Sequence, residues 1–240
     1  MTITSKLAEI RERIAQAALR SGRKLDAVAL MAVSKTHPAS AILDAIAAGQ
    51  RLFGENRVQE FADKHDEVVA ASSGGKFHLI GHLQSNKAAR AAELFDSVDS
   101  VDSLKLAERL NEAAARLDRR LEVMIEINVG GEEAKSGLDP KSDELLALVD
   151  AQARLRSLVM RGFMTVPPFT EDPEGARHYF SQLRELRDRL RVRSGLALAE
   201  LSMGMSHDFE VAIEEGSTCV RVGTAIFGAR TYPATNEEPA

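Results

Sequence analysis

The stretch AVALMAVSKTHP, residues 27–38, ends an almost wholly apolar run on Lys35, and Pro38 follows three positions later. An amine held against apolar surroundings loses its charged form more readily than one in water. The neutral amine is the nucleophile that attacks an aldehyde. The bland alternative is a solvated charge that closes a strand. The second region with chemical content is LSMGMSHDFEVAIEEGSTCVRVGTAIFGAR, residues 201–230. Ser206 precedes a helical stretch with Asp208 in its first turn and Gly216 at its end. Arg221 lies in the strand-like segment after it, which leaves through Gly223 and Thr224. Free N–H groups at two helix starts, with glycine allowing close approach, make an anion cradle. Taken singly, Ser206 is an N-cap and Gly223 a turn residue; together they make a phosphate site as good a reading as that bland one.

Other candidates carry less. His78 and His82 have the spacing of helical metal ligands, but FHLIGHL reads as a strand and its exit. Four extended residues span about 13 Å, too far for one ion. KSG at 135–137 reads as a solvated loop. Cys219 sits inside a strand with no cation evident nearby and reads as core. In GENRVQE, Glu55 and Asn56 end a strand and cap a helix, or face a strand-end site.

Positioning such residues requires elements that end together. Ile3, Leu7, Ile10 and Ile14 form one apolar helical stripe. AVALMAV is short and apolar on both faces, as in a strand of a parallel sheet. PASAILDAIAAGQ is helical, with Pro38 at its start and Gly49 near its end. Further strands are predicted at 51–55, 77–81, 94–100, 121–129, 156–166, 196–204 and 217–223. Most intervals carry helical patterns, with Leu104, Ala107, Leu110 and Leu117 marking one face of the clearest. Eight strands alternating with helices, behind one leading helix, favour a closed (β/α)8 TIM-type barrel within α/β; a doubly wound open sheet is the alternative. In such a barrel the site lies at the C-terminal strand ends. Lys35, Glu55, Asn56, His82, Asn128, Met164, Ser206, Arg221, Gly223 and Thr224 all fall there.

Composition limits the partners. A net charge of −5 gives no basic field for nucleic acid, and RELRDRLRVR is a charged helix face within an acidic whole. One cysteine permits no internal disulfide, which fits a reducing compartment. No run reaches the roughly 18 apolar residues of a membrane span, and the charged N-terminus lacks a signal-peptide core. A cytoplasmic protein is expected, with residues 1–230 as one domain and 231–240 as a loose tail.

AVSKTHP, LFGENRVQE, FHLIGHLQSNK, SVDS, RGFMTVPP, LSMGMSHDFEVAI and VRVGTAIFGAR occur in this order from about residue 2 to 230, without large insertions. This series resembles the pyridoxal phosphate homeostasis protein family. The resemblance implies a fold-type III barrel like the N-terminal domain of alanine racemase, with pyridoxal 5′-phosphate (PLP) as cofactor. It implies that Lys35 forms a Schiff base with the aldehyde, that Ser206, Gly223 and Thr224 hold the phosphate, and that Arg221 approaches the pyridine nitrogen. Asn56 and His82 would line the ring's surroundings. His37 and Arg57 stand where other residues are common in the family, away from anchor and cradle.

Two functions compete. A carrier would hold PLP and pass it to apo enzymes; an enzyme would racemise or decarboxylate amino acids. A permanent cation at the pyridine nitrogen opposes protonation and makes the ring a poorer electron sink, although racemases on this barrel share it. Those racemases resemble a longer two-domain chain that supplies a tyrosine from a partner subunit. Here the tyrosines are Tyr179, in a helix, and Tyr232, in the tail. The expectation is therefore a monomeric PLP-binding protein without robust catalysis.

Overall fold

The computed structural model describes residues 1–24, 26–71, 74–132 and 135–228. The tail expected at 231–240, with Tyr232, lies outside the described residues. Eight parallel strands close into a barrel in sequence order. The strands are β1 (Ala29–Val33), β2 (Leu52–Glu55), β3 (Lys76–Leu79), β4 (Ser97–Val101), β5 (Leu121–Glu126), β6 (Leu158–Met164), β7 (Glu200–Ser202) and β8 (Cys219–Val222). Closure is made by β1 against β8, with Met31 opposite Arg221 and Ala32 opposite Val222. The open-sheet alternative is thereby excluded.

Helices fill the intervals. They are α1 (Ile3–Arg20), α2 (Ala39–Ala47), α3 (Val58–Ala62), α4 (His65–Ala71), α5 (Ala88–Leu94), α6 (Leu104–Arg116), α7 (Asp143–Asp150), α8 (Arg177–Ser194), α9 (Phe209–Glu214) and α10 (Thr224–Phe227). Their starts follow from local chemistry. Thr2, Ser103 and Ser142 accept from the backbone N–H three residues on, each satisfying a donor that the helix cannot. Pro38 caps α2, and Gly49 follows it at φ 83°. The stripe of α6 holds for Ala107 and Leu110, which are buried, but Leu117 lies past the last turn, 43% exposed.

The core has two layers. Outside the barrel, Phe53, Phe61, Phe77 and Phe95 pack with ring centroids 4.8–5.2 Å apart, joining β2 and β3 to α3 and the start of β4. Leu7, Ile10 and Ile14 bury the inner face of α1, as the spacing predicts. Its outer rows reach α9: Arg13 pairs with Glu210 at 3.0 Å and stands over the Phe209 ring, and Arg20 pairs with Glu214 at 3.1 Å. These exposed pairs contribute little each. The buried apolar stripe does more to fix α9, which follows the Ser206 turn.

All eight strands depart from their predicted bounds by one to four residues at one end or both, and the last strands before closure show why. β7 pairs only over Glu200–Ser202, because Leu198 (φ 37°) is buried without joining the ladder. β6 stops at Met164, two residues short of the predicted end. β5 stops at Glu126; the apolar pattern continues to Val129 because Ile127 is buried and bridges Leu138 of the following loop. Among the described residues, no helix is long and apolar enough to cross a membrane.

Candidate functional site

Lys35, Asn56, Ser206, Arg221, Gly223 and Thr224 line one cleft of about 380 Å³ at the C-terminal strand ends. Strand geometry explains the convergence. β1 stops at Val33, so Lys35 emerges where the chain turns over the mouth. β8 stops at Val222, and Gly223 is the N-cap of α10. Apolar walls come from Val33, Ile80, Val166 and Met205. The site thus combines a half-buried amine, a buried guanidinium and a hydroxyl-lined helix start.

The Ser206 end is a built turn. The Asp208 carboxylate accepts from the Met205 N–H at 2.7 Å, and Phe209 N–H donates to the Met205 carbonyl at 3.0 Å. Asp208 is therefore the N-cap position of α9, one residue earlier than the first-turn placement expected. Burial pushes its carboxyl up, opposed by that Met205 bond and by Arg221. Ser206 consequently sits in the turn before the helix and is not its N-cap. Thr224 Oγ1 donates to Ser206 Oγ at 3.3 Å, joining the two halves. In α10 the Ile226 and Phe227 N–H groups donate to the Gly223 carbonyl at 2.9 Å, which leaves those of Thr224 and Ala225 without an intrahelical acceptor.

Arg221 is buried and fully engaged with strand ends. Its Nη1 donates to the Ser202 carbonyl (2.6 Å) and Ser202 Oγ (2.8 Å), and its Nη2 to the Thr165 carbonyl (2.7 Å). Burial pulls its pKa down, while Cys219, Asp99, Glu126 and Asp208 oppose that. Thr165 in turn donates to the Ile127 carbonyl at 2.7 Å. The guanidinium is held across β6, β7 and β8 in one orientation.

Sequence reasoning missed two residues here. His207 also lines the cleft; its Nε2 is 3.0 Å from the Glu171 carbonyl, and its ring lies against Phe169. Glu126, the last residue of β5, stands outside the cleft lining; it is buried, and among the described residues its Oε2 has no hydrogen-bond partner. Burial raises its carboxyl to about 7 despite the nearby Arg221; Asp102 adds to the rise and His82 opposes it. An acid inside the apolar run VMIEI is the signal that could have found it.

His82 is not brought in with the others. It is exposed at the rim, its Nδ1 2.9 Å from Asp102. His78 is buried inside β3 beside Asp99 at 3.0 Å, so the two histidines serve different carboxylates. Among the described residues, no group of three or more His, Cys, Asp or Glu could hold a metal ion. Asn128 turns away to donate to the Glu132 carbonyl at 2.8 Å. Cys219 is buried core, as predicted, but a cation does lie near: Arg221 acts on the thiol, which burial nevertheless pushes up to about 12. Tyr179 packs its ring on His178 on α8, outside the cleft lining.

The lining thus brings an amine (Lys35), two hydroxyls (Ser206 and Thr224) and a fixed guanidinium (Arg221) to one cleft. Gly223 keeps the cradle open beside β1, since a Cβ there would stand 3.3 Å from the Val33 carbonyl oxygen.

Known proteins resemble the chain in sequence and in fold. Residues 5–231 match the family model described as alanine racemase, N-terminal domain. A relative from Aquifex aeolicus, named pyridoxal phosphate homeostasis protein, is 42% identical over 97% of this chain and 100% of its own. One of the same name from Escherichia coli K12 is 45% identical over 96% and 97%. The structure of PipY from Synechococcus elongatus with PLP bound superposes at a TM-score of 0.82, with 40% identity over 95% of this chain and 100% of that one. By the family model and by near full-length identity, the chain belongs to the pyridoxal phosphate homeostasis protein family, on the barrel of the alanine racemase N-terminal domain.

Proposed function

We propose that this protein binds PLP and holds it as a reserve for transfer to apo enzymes, without robust catalysis of its own. The observation that carries the reading is the convergence of Lys35, Arg221 and the Ser206–Thr224 pair on one cleft. PLP, when bound, supplies an aldehyde for reversible condensation with an amine and a ring that acts as an electron sink. Lys35 is the residue for a Schiff base, Ser206, Gly223 and Thr224 for the phosphate, and Arg221 for the pyridine nitrogen. Asn56 lies beside the ring in this reading; His82, at the rim, has at most an outer part.

Arg221 suits holding, although racemases on this barrel share an arginine there. Its guanidinium remains positive at ordinary pH, and its three bonds to Ser202 and Thr165 prevent it from swinging away. A fixed cation disfavours a protonated pyridine and so weakens carbanion stabilisation. Names of the relatives support the same reading, as homeostasis proteins. The enzyme reading, as racemase or decarboxylase, retains one candidate acid/base in the lining, His207.

A spectrum of the untreated protein, then incubation with an apo PLP enzyme, tests both parts. The expected result is a yellow protein, discharged by borohydride, that reactivates the apo enzyme while showing no turnover of common amino acids. Steady racemisation at enzyme-like rates would overturn the carrier assignment. A colourless protein that takes up no PLP would overturn binding itself.

A further inference from the structure

The turn that carries Lys35 is held from below by a second lysine. Lys64, in the link between α3 and α4, is buried to 9% exposure. Its Nζ donates to the Ser34 carbonyl at 3.3 Å and the His37 carbonyl at 3.2 Å, the two residues that bracket Lys35 and Thr36. The same ammonium pairs with Glu55 at 2.9 Å and Glu60 at 3.4 Å. Glu60 also accepts from the Thr36 N–H. Ser34 Oγ donates to Glu55 at 2.6 Å, and Ser34 N–H to the Gly54 carbonyl at 3.0 Å.

This network surrounds a strained backbone. Thr36 has φ 65°, a left-handed conformation costly for a β-branched residue. Such strain persists only where surrounding contacts over-determine it. Here the contacts are those of Lys64 and Glu60. A buried ammonium also needs compensation, and Glu55 and Glu60 supply it. Burial raises the Glu55 carboxyl, and Lys64 opposes that rise. Contrary to the expectation that His37 stands away from anchor and cradle, it closes the Lys35 turn and its ring packs on Phe227 of α10 at 5.0 Å.

We propose that Lys64 is a positioning residue for Lys35: with Glu60 it pins the Ser34–His37 turn and fixes where the Lys35 amine is delivered to the cofactor's aldehyde. The proposal rests on Lys35 being the anchor. In the step it assists, the Lys35 nitrogen forms a bond to the aldehyde carbon. The carbonyl oxygen leaves as water with both amine protons, and nothing is oxidised or reduced.

The test uses the full chain freed of cofactor, with Lys64→Met, Glu60→Ala and Lys35→Ala. Mixing with PLP and following Schiff-base absorbance reads the condensation rate. Titration with pyridoxine 5′-phosphate, which lacks the aldehyde, reads the grip on ring and phosphate. Competitive acetylation reads Lys35 reactivity against exposed Lys105 without any cofactor. A misplaced amine slows condensation by about tenfold to a hundredfold. The expected result is that loss in Lys64→Met, a change in Lys35 acetylation, and unchanged affinity for pyridoxine 5′-phosphate. Condensation at the parent rate overturns the clamp, and so does a parallel loss of both condensation and pyridoxine 5′-phosphate binding, which marks mere destabilisation. Should Lys64→Met not fold, Glu60→Ala decides by the same criteria, since Glu60 is partly exposed. Lys35→Ala separates the two readings: absorbance retained there sinks the anchor, whereas absorbance lost there with full-speed Lys64→Met sinks only the clamp.

Discussion

Replacing Glu126 by glutamine should make the cofactor-free protein more stable than its parent above neutral pH, by an amount that grows with pH. Two effects compete at this carboxyl. Arg221 would hold it ionised, while burial favours the neutral acid. The hydrogen bonds decide between them. Arg221 directs three donations to Ser202 and Thr165, and Glu126 Oε2 has no hydrogen-bond partner among the described residues. Burial prevails, lifting the carboxyl from an ordinary 4.5 to about 7. At about 1.4 kcal/mol per pH unit, that rise corresponds to about 3 kcal/mol.

The sign follows from proton linkage. Between pH 4.5 and 7 the folded chain holds a proton here that the unfolded chain has released, so stability falls as pH rises. The contribution is complete below the unfolded value and lost by the time pH passes the folded one. Glutamine imitates the neutral acid in shape and does not titrate. The difference between variant and parent should therefore climb by up to about 3 kcal/mol from pH 5 to pH 8. Urea unfolding at each pH, extrapolated linearly to water, measures that difference, and titrations common to both proteins cancel. A difference independent of pH would refute the reasoning. A reversed slope, with the variant losing ground as pH rises, would show Arg221 pairing with an ionised Glu126.

Three further outcomes follow from the site. Lys35→Ala should leave no Schiff-base absorbance with PLP, read by spectrum and by borohydride trapping; persistence would move the anchor elsewhere. Thr224→Ala removes a hydroxyl that meets Ser206 Oγ at 3.3 Å. With one bond to a charged group worth about 1.5 kcal/mol, PLP should dissociate about tenfold more readily in equilibrium dialysis; unchanged retention would detach Thr224 from the phosphate. Gly81→Ala would drive a Cβ into the Asn56 backbone, carbonyl oxygen and Cα together. Backbone cannot step aside as a flexible side chain can, so the variant should lose about 2 kcal/mol or more by urea unfolding and bind PLP more weakly. Parent-like stability and binding would show that the β3 exit relaxes away from Asn56.

Which of these residues could be read from sequence depends on what they touch. The barrel was legible because strands buried on both faces must be apolar throughout, and β1 ends that run abruptly at Ser34 and Lys35. The meeting of Gly223, Thr224 and Ser206 in one cleft was legible because all three fall at the ends of the last two strands. Glu126 was missed for a packing reason. Ile127 stays buried through its bridge to Leu138, so the apolar pattern outruns the strand by three residues and moves the apparent strand end past the acid. His82 had the right address at the end of β3 but pairs outward with Asp102. Its position on the strand order was correct, and side-chain direction beyond a strand end has no period to reveal it.

The two buried cations show a more general limit. Arg221 spends its hydrogen bonds on the Ser202 and Thr165 carbonyls and one hydroxyl, and Lys64 spends two of its own on the Ser34 and His37 carbonyls. Every residue carries a carbonyl, so such acceptors leave no mark in the choice of amino acid. A pattern reader sees the cation and not its receptor. Arg221 could still be found because it stands in a strand beside Gly223 and Thr224. Lys64 stands in a link between two short helices, where a charge is ordinarily solvated, and nothing in the spacing sets it apart. Groups that act by holding backbone are thus the ones a sequence conceals best. In this barrel one of them lines the cleft itself and the other holds the turn that carries Lys35.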